Sequence, residues 1–331
     1  MLWRRRLSAG IREQTDTRSP RDWASLTPVL GLVAILIIAL FLAPSFFQPA
    51  NLGNLSRQAA ILAIVAAGQT LVLLVRGIDL SVGAVMTLSM VIVARVSEGN
   101  DDQLVGAIGA ALLLGLIVGV LNAVLVVGRR VPPFVATLAT AVLIVGFQTA
   151  WTQGVPGGGI PSALAELGSS RVLGIPAPTY IALIVIGIVA IILKFTILGR
   201  WLYSAGGNPE AARMSGVPVA WVTAGAYIAC SLLAVFAGLL LGGYAGYVDA
   251  YLGVGYDLDS IAAAVIGGTS FAGGAGGVGR SLLGAVVIAS ALNMIVLTGA
   301  DEWLQLVVKG AIILVAVAVQ TTRWSRPRRG G

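Results

Sequence analysis

The sequence predicts an all-α protein, a polytopic membrane helical bundle with about ten transmembrane helices. Of its 331 residues, 57% are apolar and 11% are charged, whereas a soluble domain averages about 45–50% apolar and about 25% charged residues. The apolar residues form long runs, and the basic residues cluster between those runs. A soluble body of this size needs a polar surface that 21 basic and 14 acidic side chains do not provide. The chain is therefore expected to lie in lipid.

Ten apolar runs are candidates for membrane crossings, because a helix needs about 20 apolar residues to cross about 30 Å of hydrocarbon. Eight to ten crossings are expected, from runs at about 27–43, 55–75, 79–96, 104–127, 132–151, 178–196, 219–242, 258–271, 281–298 and 303–320. The third run follows the second almost directly, and the eighth is short and glycine-rich, which indicates a broken or re-entrant segment.

The basic residues predict the direction of the bundle. Ten crossings place both termini on one side, and 17 of the 21 Lys and Arg residues then fall on that side. By the positive-inside rule that side is cytoplasmic. The expected organisation is a basic, disordered cytoplasmic arm at 1–26, a transmembrane domain at 27–320 and a basic cytoplasmic tail at 321–331.

The composition leaves little scope for catalysis or metal binding. The chain has no histidine, the usual general base and the commonest metal ligand, and Cys230, its one cysteine, is expected to be a small buried hydrophobe. Residues 272–281 imitate a nucleotide-binding loop, but Arg280 replaces the P-loop lysine and apolar segments flank the string. Its glycines, like Gly115 and Gly119 on the fourth run, are expected to permit close packing. No cofactor is expected on this chain, and any ATP-driven role requires a separate ATPase.

A short helix is predicted at 208–216, between the sixth and seventh runs. Asn208 suits the N-cap, Pro209 the first helical position and Glu210 the positive end of the helix dipole, while Arg213 faces the other end and Gly216 suits the C-terminal cap. A helix this short is marginal alone. It is therefore either an ordinary connector packed on its own bundle or a docking helix for another protein.

Four strings together resemble the permeases of ABC importers for ribose and related monosaccharides. They are GNPEAARMSG at 207–216, GIDLSVG at 77–83, GYDLDSIAAAVIGGTS at 255–270 and PFVATL at 133–138. They follow one another in the family's order, and the resemblance covers about residues 45–320. The long arginine-rich N-terminal arm departs from the family pattern.

The resemblance implies a non-catalytic permease subunit of a bacterial inner-membrane importer. Such permeases work in pairs, here as a second copy, with a cytoplasmic ABC ATPase that binds ATP and Mg and with an external solute-binding protein. The coupling segment that would sit in a groove of the ATPase comprises Asn208, Pro209, Glu210, Ala211, Ala212, Arg213 and Gly216.

Polar residues within the runs supply candidates for the transport path. A sugar path needs hydrogen-bonding groups or a ring that can stack on the sugar, and packing between helices is the alternative role for each candidate. The candidates are Gln69, Asn122, Phe134, Thr137, Thr140, Gln148 and Asn293. The structural or gating candidates are Arg76, Asp79, Ser81, Asp257 and Asp259. If residues 76–79 are helical, Arg76 and Asp79 share a face and can pair, and the acidic residues can cap the helices that follow them.

Other functions stay open at this stage. An ion-driven secondary transporter often keeps carboxylates near the middle of the membrane, and Asp79 is the one candidate here. Nucleoside import is an alternative to sugar import, since the sequence does not identify the solute. A membrane enzyme has few groups to use, because paired carboxylates within the runs and histidines are both lacking.

Overall fold

The computed structural model describes residues 21–301, 303–311 and 314, so most of the expected arm and the whole expected tail lie outside the described residues. The helices, with bounds in chain order, are α1 Arg21–Leu42, α2 Pro49–Leu74, α3 Val82–Ser97, α4 Leu104–Ala123, α5 Pro133–Thr152, α6 Ser162–Ser169, α7 Ala177–Phe195, α8 Ile197–Gly207, α9 Pro209–Met214, α10 Val219–Ala245, α11 Tyr256–Ile266, α12 Val278–Leu297 and α13 at 303–311. Strands β1 (Arg171–Val172) and β2 (Ile175–Pro176) form one short antiparallel hairpin.

The structure confirms an all-helical, polytopic membrane protein. Among the described residues, six helices are long and apolar enough to cross a membrane, namely α2, α4 with its flanking turns, α5, α7, α10 and α12. The apolar part of α1 and the whole of α3 are shorter. Helix α11, with 11 residues, extends only about 16 Å, roughly half of the hydrocarbon thickness. The count of ten crossings therefore stays a prediction.

Each of the ten apolar runs contains a helix, the tenth as far as the structure describes it, but several boundaries differ. Helix α1 begins at Arg21, six residues before the predicted start of the transmembrane domain at 27. The third helix begins at Val82 instead of 79, because residues 77–81 are not helical. Helix α11, which corresponds to the eighth apolar run, ends at Ile266, where a run of glycines begins. Helices α6 and α8 were not predicted, because they are short and only partly apolar.

Helix α2 is the centre of the bundle. Nearly all of its side chains from Ala59 to Leu74 are buried, and it packs against α7, α10, α11 and α12. Helices α4, α5 and α7 instead expose broad apolar faces, as expected for helices that contact lipid. A helix that is apolar on all sides belongs inside such a bundle. The other helices therefore pack around α2.

Small residues allow the helices to approach closely, as lipid-embedded helices require. A side chain at Gly119 of α4 would come within 2.6 Å of the Ile228 backbone on α10, and one at Gly115 within 2.5 Å of Val235. These contacts confirm the packing role predicted for both glycines. Cys230, on the same helix, is buried against Gly68 of α2, also as predicted.

The bundle has two distinct ends, which are named here after the short helices that lie there. At the α6 end, Asp101 accepts hydrogen bonds from the Ser162 hydroxyl and from the N–H of Ala163 (2.9 Å). At the α9 end, the last residues of α2 and α8 meet the turn at 267–277 that connects α11 to α12. The two ends are the surfaces at which other proteins could reach the bundle.

Candidate functional site

Helix α9 comprises about one and a half turns, and local hydrogen bonds cap both of its ends. The Asn208 side chain accepts from the N–H groups of Glu210 and Ala211, both at 3.1 Å. At the other end Gly216 adopts a positive φ of 80°, and its N–H donates to the Arg213 carbonyl at 3.0 Å. The caps predicted from the sequence are therefore confirmed.

The outer face of α9 is strongly exposed. Ala212 is buried at 4% exposure and attaches the helix to the bundle, whereas Glu210 and Arg213 are exposed. Met214 is 91% exposed and Trp221, at the start of α10, is 80% exposed. Exposed aromatic and methionine side chains beside charges are typical of protein-binding surfaces. Glu210, Arg213, Met214 and Trp221 are called the α9 surface below.

Arg76 connects the end of α2 to the end of α8. Its Nε donates to the Gly206 carbonyl at 2.6 Å and its Nη2 to the Gly207 carbonyl at 2.7 Å. These carbonyls end α8 directly before Asn208, where the helix dipole is negative and favours a cation. The predicted pairing of Arg76 with Asp79 is therefore wrong. Arg76 lies in a turn with a φ of 65°, so its side chain points to α8.

The glycine-rich turn at 267–277 completes this junction. The N–H of Gly274 donates to the Leu74 carbonyl at the end of α2 (2.9 Å), and the Tyr203 hydroxyl of α8 donates to the Gly276 carbonyl (3.0 Å). Burial raises the pKa of the Tyr203 phenol, which keeps this donor protonated. A side chain at Gly274 would come within 2.6 Å of the Gly207 backbone. The glycines thus have the packing role predicted for them. The contact between the end of α2, the end of α8 and the turn at 267–277 is called the α2–α8 junction below.

Residues 77–81 form a non-helical break between α2 and α3. Asp79 is fully buried, and its Oδ1 accepts from the N–H (2.8 Å) and the hydroxyl (2.6 Å) of Ser81. Its Oδ2 has no hydrogen-bond partner among the described residues. The N-cap residue of α3 is Ser81, and no side chain makes a cap hydrogen bond there, so the capping of α3 predicted for the acidic residue is wrong. The two side chains stabilise the break instead.

Three of the path candidates hold this break in place. With its amide oriented to match the backbone of Asp79, Gln69 accepts from the Asp79 N–H (3.2 Å) and donates to the Asp79 carbonyl (3.1 Å). Asn122 of α4 donates to the Ser81 hydroxyl (2.9 Å), and Thr137 of α5 accepts from the N–H of Leu80 (3.1 Å). Non-helical backbone at membrane depth must find hydrogen-bond partners inside the protein or in water. These three side chains supply some of the hydrogen-bond partners that the break requires.

A second break lies at 246–255, between α10 and α11. Gly242 near the end of α10 packs against Met90 of α3, whereas the N–H of Gly253 donates to Thr87 (3.0 Å) and its backbone touches Gly83. The loop therefore returns along α3 by about seven residues, or roughly 10 Å of helix. Helices α3 and α11 begin at neighbouring points, and the loop between α10 and α11 re-enters the bundle.

The prediction that the acidic residues after this loop cap α11 is wrong. The N-cap is Gly255, with a φ of 90° and no side-chain cap. Asp259 instead pairs with Lys309 of α13 at 2.9 Å, the one ion pair within the described part of the chain. Asp257 is half-buried, and its carbonyl accepts from the Ser260 hydroxyl. The ion pair between Asp259 and Lys309 attaches α13 to the start of α11.

The remaining path candidates lie apart from one another. Gln148 of α5 donates to the Ala250 carbonyl of the re-entrant loop (3.3 Å), and Thr140 donates to its own helix. Asn293 pairs with Asn51 through two amide hydrogen bonds of 2.9 and 3.0 Å. Phe134, at the start of α5, is 53% exposed. The structure therefore gathers Gln69, Asn122 and Thr137 around one break, places Gln148 at the other, and separates the rest.

Sequence reasoning missed two exposed tyrosines on the re-entrant loop. Tyr247 is 60% exposed and Tyr251 is 72% exposed. A signal for the two breaks was present in the sequence, because the pattern Gly-x-Asp-Leu occurs at 77–80, directly before α3, and again at 255–258, across the start of α11. The repeat marks the places where the helices are broken.

A polytopic helical bundle with two breaks inside it and an exposed capped helix at one end defines a membrane transport protein of the permease class. The chain belongs to the family described as branched-chain amino acid transport system / permease component, whose model matches residues 51–317. This result confirms the family predicted from the four sequence strings.

Curated relatives agree with this assignment. The chain is 38% identical over 299 residues to the ribose import permease protein RbsC of Escherichia coli K12, covering 89% of this chain and 93% of the relative. It is 39% identical over 298 residues to RbsC of Bacillus subtilis 168, with 88% and 91% covered. The autoinducer 2 import system permease protein LsrC of Escherichia coli K12/DH10B is 31% identical over 292 residues, with 88% and 85% covered. No solved structure matches the chain.

Proposed function

We propose that the chain is the transmembrane permease subunit of an ABC importer for a ribose-like sugar. The observation that supports this most directly is the α9 surface, an exposed docking helix joined through Arg76 to the break at 77–81. Two of the relatives described above are ribose import permeases, at higher identity than the autoinducer 2 permease. The driving free energy comes from ATP hydrolysis in a partner chain.

The partners follow from the two ends of the bundle. A cytoplasmic ABC ATPase, which binds ATP and Mg, docks on the α9 surface. Basic residues cluster at this end, including Arg76, Arg129, Arg200 and Arg213, so the positive-inside rule favours its cytoplasmic location, together with both termini. A solute-binding protein docks at the α6 end on the outside of the bacterial inner membrane. A second copy of the chain completes the transporter.

The sugar path runs along the exposed face of the re-entrant loop. Non-helical backbone within a membrane is tolerated only where protein covers it or where it lines water. Residues 246–255 are non-helical and expose Tyr247, Tyr251 and Val254 at 60–72%, so the loop reaches a surface where its backbone requires water or a covering protein. We place the path between this loop and a second copy, with Phe134 near its inner end. Gln69, Asn122 and Thr137 then support the path without lining it.

Reconstitution tests the proposed class directly. Vesicles that contain this chain alone are expected to take up no sugar under an ion gradient. Addition of the cognate ATPase, solute-binding protein, ATP and Mg is expected to produce ribose accumulation at least about tenfold above that background, because ATP drives the transport. Uptake by the chain alone, driven by protons or Na⁺, would instead establish a secondary transporter.

Replacement of Tyr251 by alanine tests the position of the path. An aromatic contact of this kind is worth about 0.5–1.5 kcal/mol, so uptake at subsaturating sugar is expected to fall about three- to tenfold. Tyr251→Phe is expected to retain most of the activity, because the ring persists. Tyr180→Ala, which removes a half-buried tyrosine from α7 at the same end, is the control. Equal losses in Tyr180→Ala and Tyr251→Ala would contradict the assignment.

A further inference from the structure

A cavity of about 450 Å³ lies at the α9 end, between the last turns of α7, helix α8 and the first turn of α12. Lys194, Arg200 and Tyr203 line one side of it. The start of α12, at Gly277–Gly279, lines the other. This cavity is outside the breaks at 77–81 and 246–255 and outside the α9 surface. It is called the basic cavity below.

The positive charges of the basic cavity are not neutralised by the described part of the chain. Lys194 and Arg200 are exposed, and neither forms an ion pair with a described carboxylate. Arg280, in the first turn of α12, lies close enough to act electrostatically on the Tyr203 phenol. It also lacks an ion pair with a described carboxylate. Two cations line the cavity without a described carboxylate partner, and Arg280 lies nearby, which indicates an anionic ligand.

The backbone at the start of α12 adds donors to these charges. A helix leaves its first N–H groups without intrahelical partners, and its N-terminal end carries a partial positive charge. The N-cap of this 20-residue helix is Gly277, which offers no side chain to accept those groups. A side chain at Gly279 would meet nothing within 4 Å, so the approach is open. Free N–H groups beside basic side chains suit a phosphate group.

The walls of the basic cavity distinguish a lipid from a soluble anion. Ala190 and Leu193 of α7 form its apolar lining. The adjoining exposed face of α7 carries Leu183 and Ile191, which are 50% and 56% exposed. An acyl chain can lie along this continuous apolar face while its headgroup occupies the cavity, whereas a soluble phosphate gains nothing from it. Basic pockets between membrane helices on the cytoplasmic side are a recurrent form of phospholipid site.

We propose that the basic cavity binds the phosphate group of an anionic phospholipid through Lys194, Arg200 and the N-terminal end of α12. The bound headgroup would contact α7, α8 and α12 together. Helix α8 leads directly into Asn208, so the lipid would hold the segment that positions α9. Lipid composition would then affect how firmly α9 is supported.

The full-length chain, purified in detergent, allows this proposal to be tested by native mass spectrometry with titrated phosphatidylglycerol. Phosphatidylcholine is the neutral comparison, and the double variant Lys194→Gln/Arg200→Gln is compared with wild type. The matched control is Arg129→Gln/Arg130→Gln, which removes the same charge from an exposed turn at the same end. The two substituted side chains are the basic residues that line the cavity, whereas Arg129 and Arg130 lie outside its lining. We therefore expect at least about tenfold weaker phosphatidylglycerol binding in the Lys194/Arg200 variant and little change in the control.

Three outcomes would overturn the proposal. Equal binding of the two lipids would exclude recognition of the negative charge, and equal losses in both double variants would show diffuse attraction without a site. Displacement of the lipid by millimolar inorganic phosphate or ATP would assign the cavity to a soluble anion. If the double variant does not remain monodisperse, Arg200→Gln against Arg129→Gln gives the same comparison, with a smaller loss expected for Arg200→Gln alone.

Discussion

Replacement of Arg76 by alanine is expected to reduce ATP-driven sugar uptake by at least about tenfold while ATP hydrolysis continues. The change removes two hydrogen bonds from a cation to the carbonyls that end α8, and bonds of this type are worth about 1.5–3 kcal/mol each. The end of α8 then loses its connection to the break at 77–81. Movement of α9 would no longer reach the buried Asp79. The ratio of sugar uptake to ATP hydrolysis, measured in the same vesicles, tests this prediction.

Two further variants sharpen the Arg76 experiment. Arg76→Lys is expected to recover only part of the activity, because one ammonium group does not reproduce the fork of the guanidinium. Arg129→Ala removes a positive charge from the same end without touching the α2–α8 junction and is expected to transport normally. Transport by Arg76→Ala above half of the wild-type rate would show that coupling takes another route.

Reversal of charge at Glu210 is expected to weaken binding of the partner ATPase by about tenfold or more and to abolish uptake. Glu210 is exposed in the first turn of α9, where lysine would oppose the helix dipole and repel any basic group facing it. The fold is expected to remain, since α9 attaches to the bundle through Ala212. Copurification with the ATPase measures the loss.

The matched control for Glu210→Lys is Glu166→Lys. Glu166 is likewise exposed on a short helix, α6, but at the opposite end of the bundle. The same reversal of charge there is expected to leave ATPase copurification unchanged. A Glu210→Lys chain that retains full copurification and coupled uptake would refute the assignment of α9 as the docking helix.

Most of the helices could be predicted from the sequence, because a helix in lipid needs a long apolar run and little else. Helix α9 was predicted down to its caps for a different reason: Asn208, Pro209 and Gly216 act on backbone groups only a few residues away. Both kinds of information are local in sequence. The amphipathic α8 has a capping threonine, Thr196, but no long apolar run, and it was missed.

The interior of the site could not be predicted, because its contacts join distant segments. Arg76 bonds to residues 130 and 131 positions away, and the turn that directs it depends on a φ of 65° that no sequence rule required. Thr137 bonds to Leu80 across 57 residues. These polar side chains were identified correctly as unusual within apolar runs. Their partners became evident only from the packing of α2, α4 and α5.

The burial of Cys230 makes the molecule well suited to spectroscopy. It is the only thiol in the chain, and its sulfur lies in the contact with Gly68 of α2, out of reach of bulky water-soluble maleimides. A cysteine introduced in place of Met214 or Tyr251 would therefore be the only thiol that reacts with a fluorophore or nitroxide, and Cys230 could be left in the chain. Distances between such labels in two copies of the chain would report opening and closing during turnover.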